Sequence, residues 1–315
     1  MSRHTPDFTL PRVVLVTRRS LLEQLLAHHG TRSQARFYLE SRHEEIESYE
    51  EAHARFEAGL ATVVRAIRPD QRRVRVDRDQ LDRFLFAPDD LILVVGQDGL
   101  VPNVAKYLDG QKVAGINPDP ERYDGVLCPH TPAAAAEILA WSSGGGAPER
   151  FRVERRTMAV ARREDGQQLL ALNEIFVGHT THQSARYAIE VGGARERHSS
   201  SGVICATGTG STGWALSIAR QRGIDKRLPA PEERRLTWFV REPFPSVSTQ
   251  TALSFGMVQG GERLFLHSEM GAGGVVFADG IEADRLEFLS GHRVEVGVAG
   301  KELCLVVPNP PSIPP

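Results

Sequence analysis

The sequence predicts an α/β domain with a mostly parallel sheet, followed by an all-β domain of packed sheets. Three observations predict it. Strand-like and helix-like segments alternate through residue 141, the pattern of a sheet built from crossover connections. Residues 142–148 then read Ser-Ser-Gly-Gly-Gly-Ala-Pro, the clearest punctuation in the chain. Beyond it, nine short apolar runs are joined by connections that often carry Gly, with a single helical interruption. The expected organisation is therefore 1–145 α/β, 146–307 β-rich, and a proline-rich tail at 308–315. The tail reads as extended or disordered.

Composition narrows the function classes. The 315 residues are 41% hydrophobic with a net charge of -2, which suits a soluble globular protein with a substantial core. No charge excess points to nucleic acid or to a membrane surface. Cys128, Cys205 and Cys304 are far apart and form no CxxC pair, so a reducing, cytoplasmic setting is expected. The polar first ten residues carry Pro6 and no apolar signal core, and no apolar run approaches a membrane span.

Taken in order, Val13–Thr17 is a compact apolar strand, and Ser20 or Thr17 caps a helix that stops at Gly30. A second helix is expected over 31–39. A longer amphipathic helix over 44–67 shows Ile46, Tyr49, Phe56, Leu60 and Val63 among charges. Val74–Val76 alternates as a short strand, and 81–86 is a short apolar segment. Leu91–Val95 is five apolar residues running into Gly96-Gln97-Asp98-Gly99, the signature of a strand buried on both faces. Two glycines at its carboxyl end let the backbone turn sharply and approach a ligand, and open α/β sheets place ligand chemistry there. Asp98 reads either as a reactive group or as a helix cap. A helix from Leu100 with Pro102 in its first turn, a strand at 113–117 and a helix at 131–141 complete the domain. In the second half, strands are expected at 169–177, 188–191, 203–206, 236–240, 264–267, 275–278, 286–289, 294–298 and 303–307, with a helix at 211–220.

Two further motifs carry candidate chemistry. Thr207-Gly208-Thr209-Gly210-Ser211-Thr212-Gly213-Trp214 links an apolar strand to a helix. Backbone N–H groups at a helix start, with hydroxyls beside them, suit phosphate or ribose. The loop is neither a Walker A loop nor a dinucleotide fingerprint. Asn173-Glu174 places an amide and a carboxylate together on an apolar strand, able to grip ribose hydroxyls or a base edge. By itself that pair reads as a strand's solvent-facing polar pair.

In this order, the three motifs resemble those of the NAD kinase family: a Gly-Gly-Asp-Gly turn, an Asn-Glu pair, and a Thr-Pro-Thr-Gly-Ser-Thr-Ala-Tyr loop. Gly115-Ile116-Asn117 and Phe277-Ala278-Asp279-Gly280 resemble two more of its segments, so the likeness covers residues 91–300. It implies a Rossmann-like α/β domain and a C-terminal β-sandwich, with the final segment returning to the first domain. It also implies transfer of the ATP (or polyphosphate) γ-phosphoryl group to the adenosine ribose 2′-hydroxyl of NAD(H), with Mg²⁺, in a homo-oligomer (dimer or tetramer). By resemblance, Asp98 is the base. Gly96, Gln97 and Gly99 face the donor. Asn117, Asn173, Glu174, Thr207, Thr209, Gly210, Ser211, Thr212, Gly213 and Trp214 belong to the nucleotide sites. No resident metal ligands are assigned.

Departures mark the chain as divergent. Gln97 replaces a glycine, Leu100 the usual Thr, Ser201 an Asp, Gly208 a Pro, and Gly213-Trp214 an Ala-Tyr pair. A kinase for another small acceptor, or a non-catalytic NAD(P)- or ATP-sensing protein, are the alternatives. Elsewhere, His179 and His182 form a weak metal candidate and read better as a loop near the acceptor, with Ser184, Arg186 and Tyr187 close by. Arg241 offers a phosphate contact or an ion pair with Glu242. Residues 31–36 read as a solvated face, and Cys205 as core.

Overall fold

In a computed structural model that describes residues 10–310, the first strand, β1 (Val13–Thr17), is buried along its whole length. The chain around it folds into one of two compact units. One runs to Glu154 and resumes at Cys304; the other is Arg155–Leu303.

Three helices follow β1. Ser20 starts α1 (Leu21–His29) with a reciprocal cap: its hydroxyl accepts from the Glu23 N–H at 3.2 Å and its own N–H donates to the Glu23 carboxylate at 2.7 Å. Gly30, at φ +77°, ends the helix. Thr31 caps α2 (Arg32–Glu40), and α3 (Ile46–Ala66) runs for 21 residues. Then come β2 (Arg73–Asp77), a 3₁₀ turn over Arg78–Arg83, β3 (Leu91–Val95), α4 (Leu100–Ala105), β4 (Lys112–Ile116) and α5 (Ala135–Ser142).

Strands β1 to β4 of this unit are parallel. β1 lies between β2 and β3, and β3 pairs β4. The end of the last strand adds beside β4, with Cys304 opposite Lys112. Leu60 and Val63 of α3 and Ile138 and Leu139 of α5 share one buried cluster with Leu91, Leu93 and Val95. Five consecutive buried residues in β1 and in β3 are what helix cover on both faces demands. β1 is followed by chain that returns on its β2 side, and β3 lies on the other. The carboxyl ends of β1 and β3 therefore flank the switch in strand order where open α/β sheets hold ligands.

The second unit takes in most of β5 (Phe151–Arg163), then β6 (Gln168–Ala171), β7 (Glu174–His179), β8 (Ala185–Val191), β9 (Ala194–Ser200), β10 (Val203–Ala206), α6 (Trp214–Gln221), β11 (Arg235–Val240), β12 (Phe255–Gln259), β13 (Leu264–Ser268), β14 (Gly274–Ala278), β15 (Ile281–Glu287) and the first part of β16 (Arg293–Pro308). One antiparallel sheet has the order β12-β11-β10-β7-β14-β15. Facing it, β16, β13, β8 and β9 pair in sequence. Ile175, Val177, Cys205 and Trp238 of the first sheet lie in one buried cluster with Tyr187, Leu266, Val294 and Val296 of the second. This is a β-sandwich.

Several expectations are corrected. The single strand expected at 169–177 is broken into β6 and β7, because Leu172, Asn173 and Glu174 turn their N–H groups to the Asp279 carboxylate. The two strands expected at 294–298 and 303–307 are one, β16; Lys301-Glu302 interrupts the apolar pattern while the backbone stays extended. The polar strand β9 escapes the apolar pattern as an edge that pairs only with β8, and β12, the edge beside β11, is short and interrupted by Gly256. The helices expected at 131 and 211 open as 3₁₀ turns at Pro132–Ala134 and Gly210–Thr212 before α5 and α6 begin. Of the expected tail, 311–315 lie outside the described residues. No helix among the described residues is long and apolar enough to cross a membrane.

Candidate functional site

The sequence-predicted residues fall into two clusters, one in each unit. In the first, the turn after β3 is shaped at Gly96, whose φ of +156° only glycine adopts easily. Its N–H donates to the Ile116 carbonyl at 3.0 Å. Gln97 needs no glycine: the described non-glycine residues at positive φ are His43, Glu242 and Asp279. Its side chain is exposed. Gly99 has an ordinary φ of -62°, and a Cβ there meets nothing within 4 Å. Leu100 is buried, so the position that lacks the family's hydroxyl is a core position here.

Asp98 is held rather than loose. Its Oδ1 accepts the Leu127 and Cys128 N–H groups, both at 2.9 Å, and its Oδ2 accepts that of Val126 at 2.8 Å. Segment 126–128 reaches it by crossing Gly115, where a Cβ lies 2.0 Å from the Leu127 carbonyl oxygen. A carboxylate has about four lone-pair sites, so three N–H donors fix its plane and leave Oδ2 one acceptor position. Asn117 is buried and spends its amide on the next loop, accepting the Asp119 N–H at 3.0 Å and donating to the Tyr123 carbonyl at 2.7 Å.

A cavity of about 250 Å³ opens beside this turn. It is lined by Gly96 and Gln97, by Arg18 and Ser20 after β1, and by Tyr49 and His53 of α3. Ser20 Oγ and His53 Nδ1 are 3.0 Å apart.

In the second unit, the break between β6 and β7 presents Asn173 and Glu174. Asp279 Oδ2 accepts the Leu172 N–H at 3.0 Å, and Oδ1 accepts those of Asn173 at 2.7 Å and Glu174 at 3.3 Å. The side chains of Asn173 and Glu174 are half-buried and make no hydrogen bond among the described residues. Burial, and then the charge of Asp279, push the Glu174 carboxyl up to about 7.

The loop after β10 is stapled to this break. The Thr207 hydroxyl donates to the Leu172 carbonyl at 2.5 Å and accepts the Thr209 and Gly210 N–H groups at 3.1 and 3.2 Å. The Thr207 N–H donates to the Asn173 carbonyl at 2.9 Å. Gly208 and Gly210 are glycines for packing: a Cβ lies 2.0 Å from the Ala230 carbonyl oxygen in one case and 2.2 Å from that of Asn173 in the other. Thr209 differs from its neighbours. It is 2% exposed, and its hydroxyl has no partner among the described residues. The Ser211 and Thr212 hydroxyls donate back to the Thr207 and Thr209 carbonyls. Beyond Gly213, Trp214 stacks on Phe176 at 5.9 Å and 11°, with the Arg241 guanidinium 4.7 Å from its ring centre. Trp214 nevertheless stays 38% exposed.

The weaker candidates resolve plainly. His179 Nδ1 accepts the Thr181 N–H at 3.1 Å. No group of three His, Cys, Asp or Glu side chains among the described residues suits a metal. Arg32 pairs with Glu50 and Arg36 with Glu47, so the 31–36 segment is bound to α3. Arg241 approaches Glu242 at 3.6 Å, and Cys205 is core. Sequence reasoning missed two features. Asp279 was noticed as part of a resemblance, not as the residue that sets the Asn173–Glu174 break. The Arg18-Arg19 pair, directly after a buried strand, was a visible signal for the cavity.

Fold and clusters together define a two-domain protein, α/β plus β-sandwich, with polar side chains held open at strand ends. The chain is 27% identical over 256 residues to NAD kinase 2, mitochondrial, of Rattus norvegicus, covering 58% of this chain and 60% of that one. It is 29% identical over 201 residues to NAD kinase 2, mitochondrial, of Homo sapiens, covering 50% and 46%. The chain thus spans about half to three-fifths of the curated relatives it matches. Among solved structures, yeast NADH kinase complexed with NADH superposes with a TM-score of 0.58 at 15% identity, covering 94% of this chain and 83% of that one. An NAD kinase from Archaeoglobus fulgidus in complex with ATP gives 0.55 at 18% identity, covering 93% and 92%. No protein-family profile matches. In sequence the chain is similar to these NAD kinases, and its fold is the one that the two solved kinases share.

Proposed function

We propose that the chain is an NAD(H) kinase, transferring the γ-phosphoryl group of ATP to the adenosine ribose 2′-hydroxyl of NAD(H). One observation carries this reading: in the second unit an amide, a carboxyl and a buried hydroxyl (Asn173, Glu174 and Thr209) have no hydrogen-bond partner among the described residues, while the backbone beneath them is fixed by Asp279 and Thr207. Buried polar groups left open cost stability unless a ligand completes them. Their chemistry suits ribose hydroxyls and a base edge. The solved relatives, one with NADH and one with ATP, support the same pair of ligands.

In this reading the ribose 2′-oxygen forms a bond to the γ-phosphorus as the bond from that phosphorus to the ADP oxygen breaks. The hydroxyl proton passes to Oδ2 of Asp98, and ADP leaves with the electron pair. Phosphoryl transfer asks mostly for positioning, and three N–H donors supply that for Asp98. Asp98 contributes as general base, Asn173, Glu174 and Thr209 hold the acceptor, and Gly99 presents open backbone to the donor. Mg²⁺ bound through the donor phosphates would offset their charge while Asp98 takes the proton. A homo-oligomer and a reducing, cytoplasmic compartment complete the proposal, the latter resting on three unpaired cysteines.

Pure protein incubated with ATP, Mg²⁺ and NAD or NADH tests it. NADP(H) and ADP in equal amounts are expected. ADP formed only with a different acceptor moves the activity to another small alcohol. Nucleotide binding without turnover makes the chain a sensor.

A further inference from the structure

Asp98 owes its fixed plane to the N–H groups of Val126, Leu127 and Cys128, so it is placed only as well as the segment that carries them. That segment is loop: between Ile116 and Pro132 its ladder contact is an isolated bridge from Ile116 to His130. Two anchors hold it. At the far end, buried His130 donates its N–H to the Gly115 carbonyl at 3.2 Å and accepts the Asn117 N–H at 2.7 Å. Its ring Nε2 lies 2.8 Å from the carbonyl oxygen of Val306, near the end of β16. Burial pushes the ring pKa down, which favours the neutral imidazole with one proton. A carbonyl only accepts, so that proton is on Nε2. Phe151 meets the ring edge-on, with centroids 5.5 Å apart. At the near end, α3 approaches through Gly59, where a Cβ would lie 2.8 Å from Pro118 Cβ and 3.2 Å from Pro132 Cγ. One turn earlier in α3, Arg55 donates to Asp119 at 3.0 Å.

We propose that His130 is a positioning residue for phosphoryl transfer: it latches the 117–130 segment to β16, so that the three N–H donors hold Asp98 in place, while α3 braces the same segment at Gly59. The proposal rests on the phosphotransferase reading above. An apolar residue at 130 would fill the space but leave the Val306 carbonyl without this donor. A shift of about 1 Å in a reacting group costs up to about 10²-fold in rate, so a slack segment shows in turnover before it shows in binding. The long helix α3 thereby gains a role in the reaction without touching a substrate.

Turnover of the full chain with ATP, Mg²⁺ and NAD, together with amide hydrogen exchange, tests the proposal. Well below its melting temperature, His130→Leu should lose about 10-fold or more in kcat at an unchanged KM for NAD. His130→Gln, which keeps an N–H donor for Val306, should recover most of that loss. In the Asp98→Asn background, His130→Leu should cost no further turnover, because its effect passes through Asp98. The Val126, Leu127 and Cys128 amides should exchange about 10-fold or more faster in His130→Leu, while those of β1 and β3 keep their protection. Gly59→Ala approaches from the other end. Alanine is the better helix former, so melting need not fall, yet its methyl meets two proline rings and should loosen the same three amides. Unchanged exchange at 126–128 in both variants overturns the brace, and so does an equal fall in kcat with and without the Asp98 carboxylate. The two readings fail separately. NADP(H) formed by His130→Leu at wild-type kcat removes the positioning role and leaves the kinase. No NADP(H) from the wild-type chain with any donor removes the kinase and the role in transfer with it, while the exchange pattern still decides whether His130 holds the segment.

Discussion

Glu174 and Asp279 are tied in both directions: the Glu174 N–H donates to Asp279 Oδ1 at 3.3 Å, and the Asp279 N–H donates to the Glu174 carbonyl at 3.0 Å. The contact that fixes the backbone also sets a second carboxylate beside the Glu174 side chain. Burial first, and that neighbour second, hold the Glu174 carboxyl at about 7 against an ordinary 4.5.

Stability should follow from that displacement. Between pH 4.5 and 7 the folded chain keeps a proton on Glu174 that the unfolded chain has lost. Stability therefore falls as pH rises through this window, and the full penalty is present above it. Glu174→Gln removes the penalty. Urea unfolding without nucleotide should find the variant more stable than wild type at pH 8, by up to about 3 kcal/mol, and equal to it below pH 4.5. An offset that does not change with pH counts against the displaced carboxyl.

Asp98 should separate catalysis from architecture. Asp98→Asn keeps a carbonyl oxygen for the Leu127 and Cys128 N–H groups but faces an amide N–H₂ toward that of Val126. The variant should fold and bind NAD in calorimetry while NADP(H) formation falls by about 10²–10⁴-fold, the usual contribution of a general base. Asp98→Ala leaves all three donors without their acceptor and should also lower the melting temperature, at a cost of about 1–3 kcal/mol per buried donor. Wild-type turnover in Asp98→Asn removes the residue from the chemistry.

Two threonines on one loop should behave in opposite ways. Thr207→Val breaks the bond to Leu172 and strands two N–H groups, so unfolding stability should fall by about 1–3 kcal/mol. Thr209→Val removes a buried hydroxyl that satisfies nothing in the protein. It should leave stability unchanged or higher while raising the KM for NAD. Equal effects on stability and KM in the two variants would refute the division.

Glycines 96 and 99 should divide similarly. Gly99→Ala meets no atom within 4 Å and has an ordinary φ, so melting should be unchanged while the KM for ATP rises. Gly96→Ala forces a side chain onto φ +156° and should destabilise the chain by about 1 kcal/mol or more. An unchanged donor KM in Gly99→Ala means that no ligand approaches that backbone.

What could be read from the sequence follows what each signal depends on. The Leu91–Val95 strand and its turn stood out because burial on both faces writes an uninterrupted apolar run. The Ser20 and Thr31 caps were visible because capping is local. Gln97 stands where the family has a glycine without straining the turn, because the special backbone geometry belongs to Gly96, and dihedral angles are not written in residue type. The break at residue 172 was hidden because its cause, Asp279, lies 107 residues further on.

By itself the sequence determined the two fold classes, the burial of β3, and the candidate status of Asp98, Asn173, Glu174 and the 207–214 loop, since composition, periodicity and local motif depend on neighbouring residues. Only the tertiary structure decided what those residues are free to do. It committed Asn117 and Thr207 to protein contacts and left Asn173, Glu174 and Thr209 open. It also brought Arg18, Arg122 and α3 to one cavity. The physical reason is that hydrogen-bond satisfaction, desolvation and unpaired charge are set by groups far apart in the chain, and they exist only once folding has chosen every neighbour.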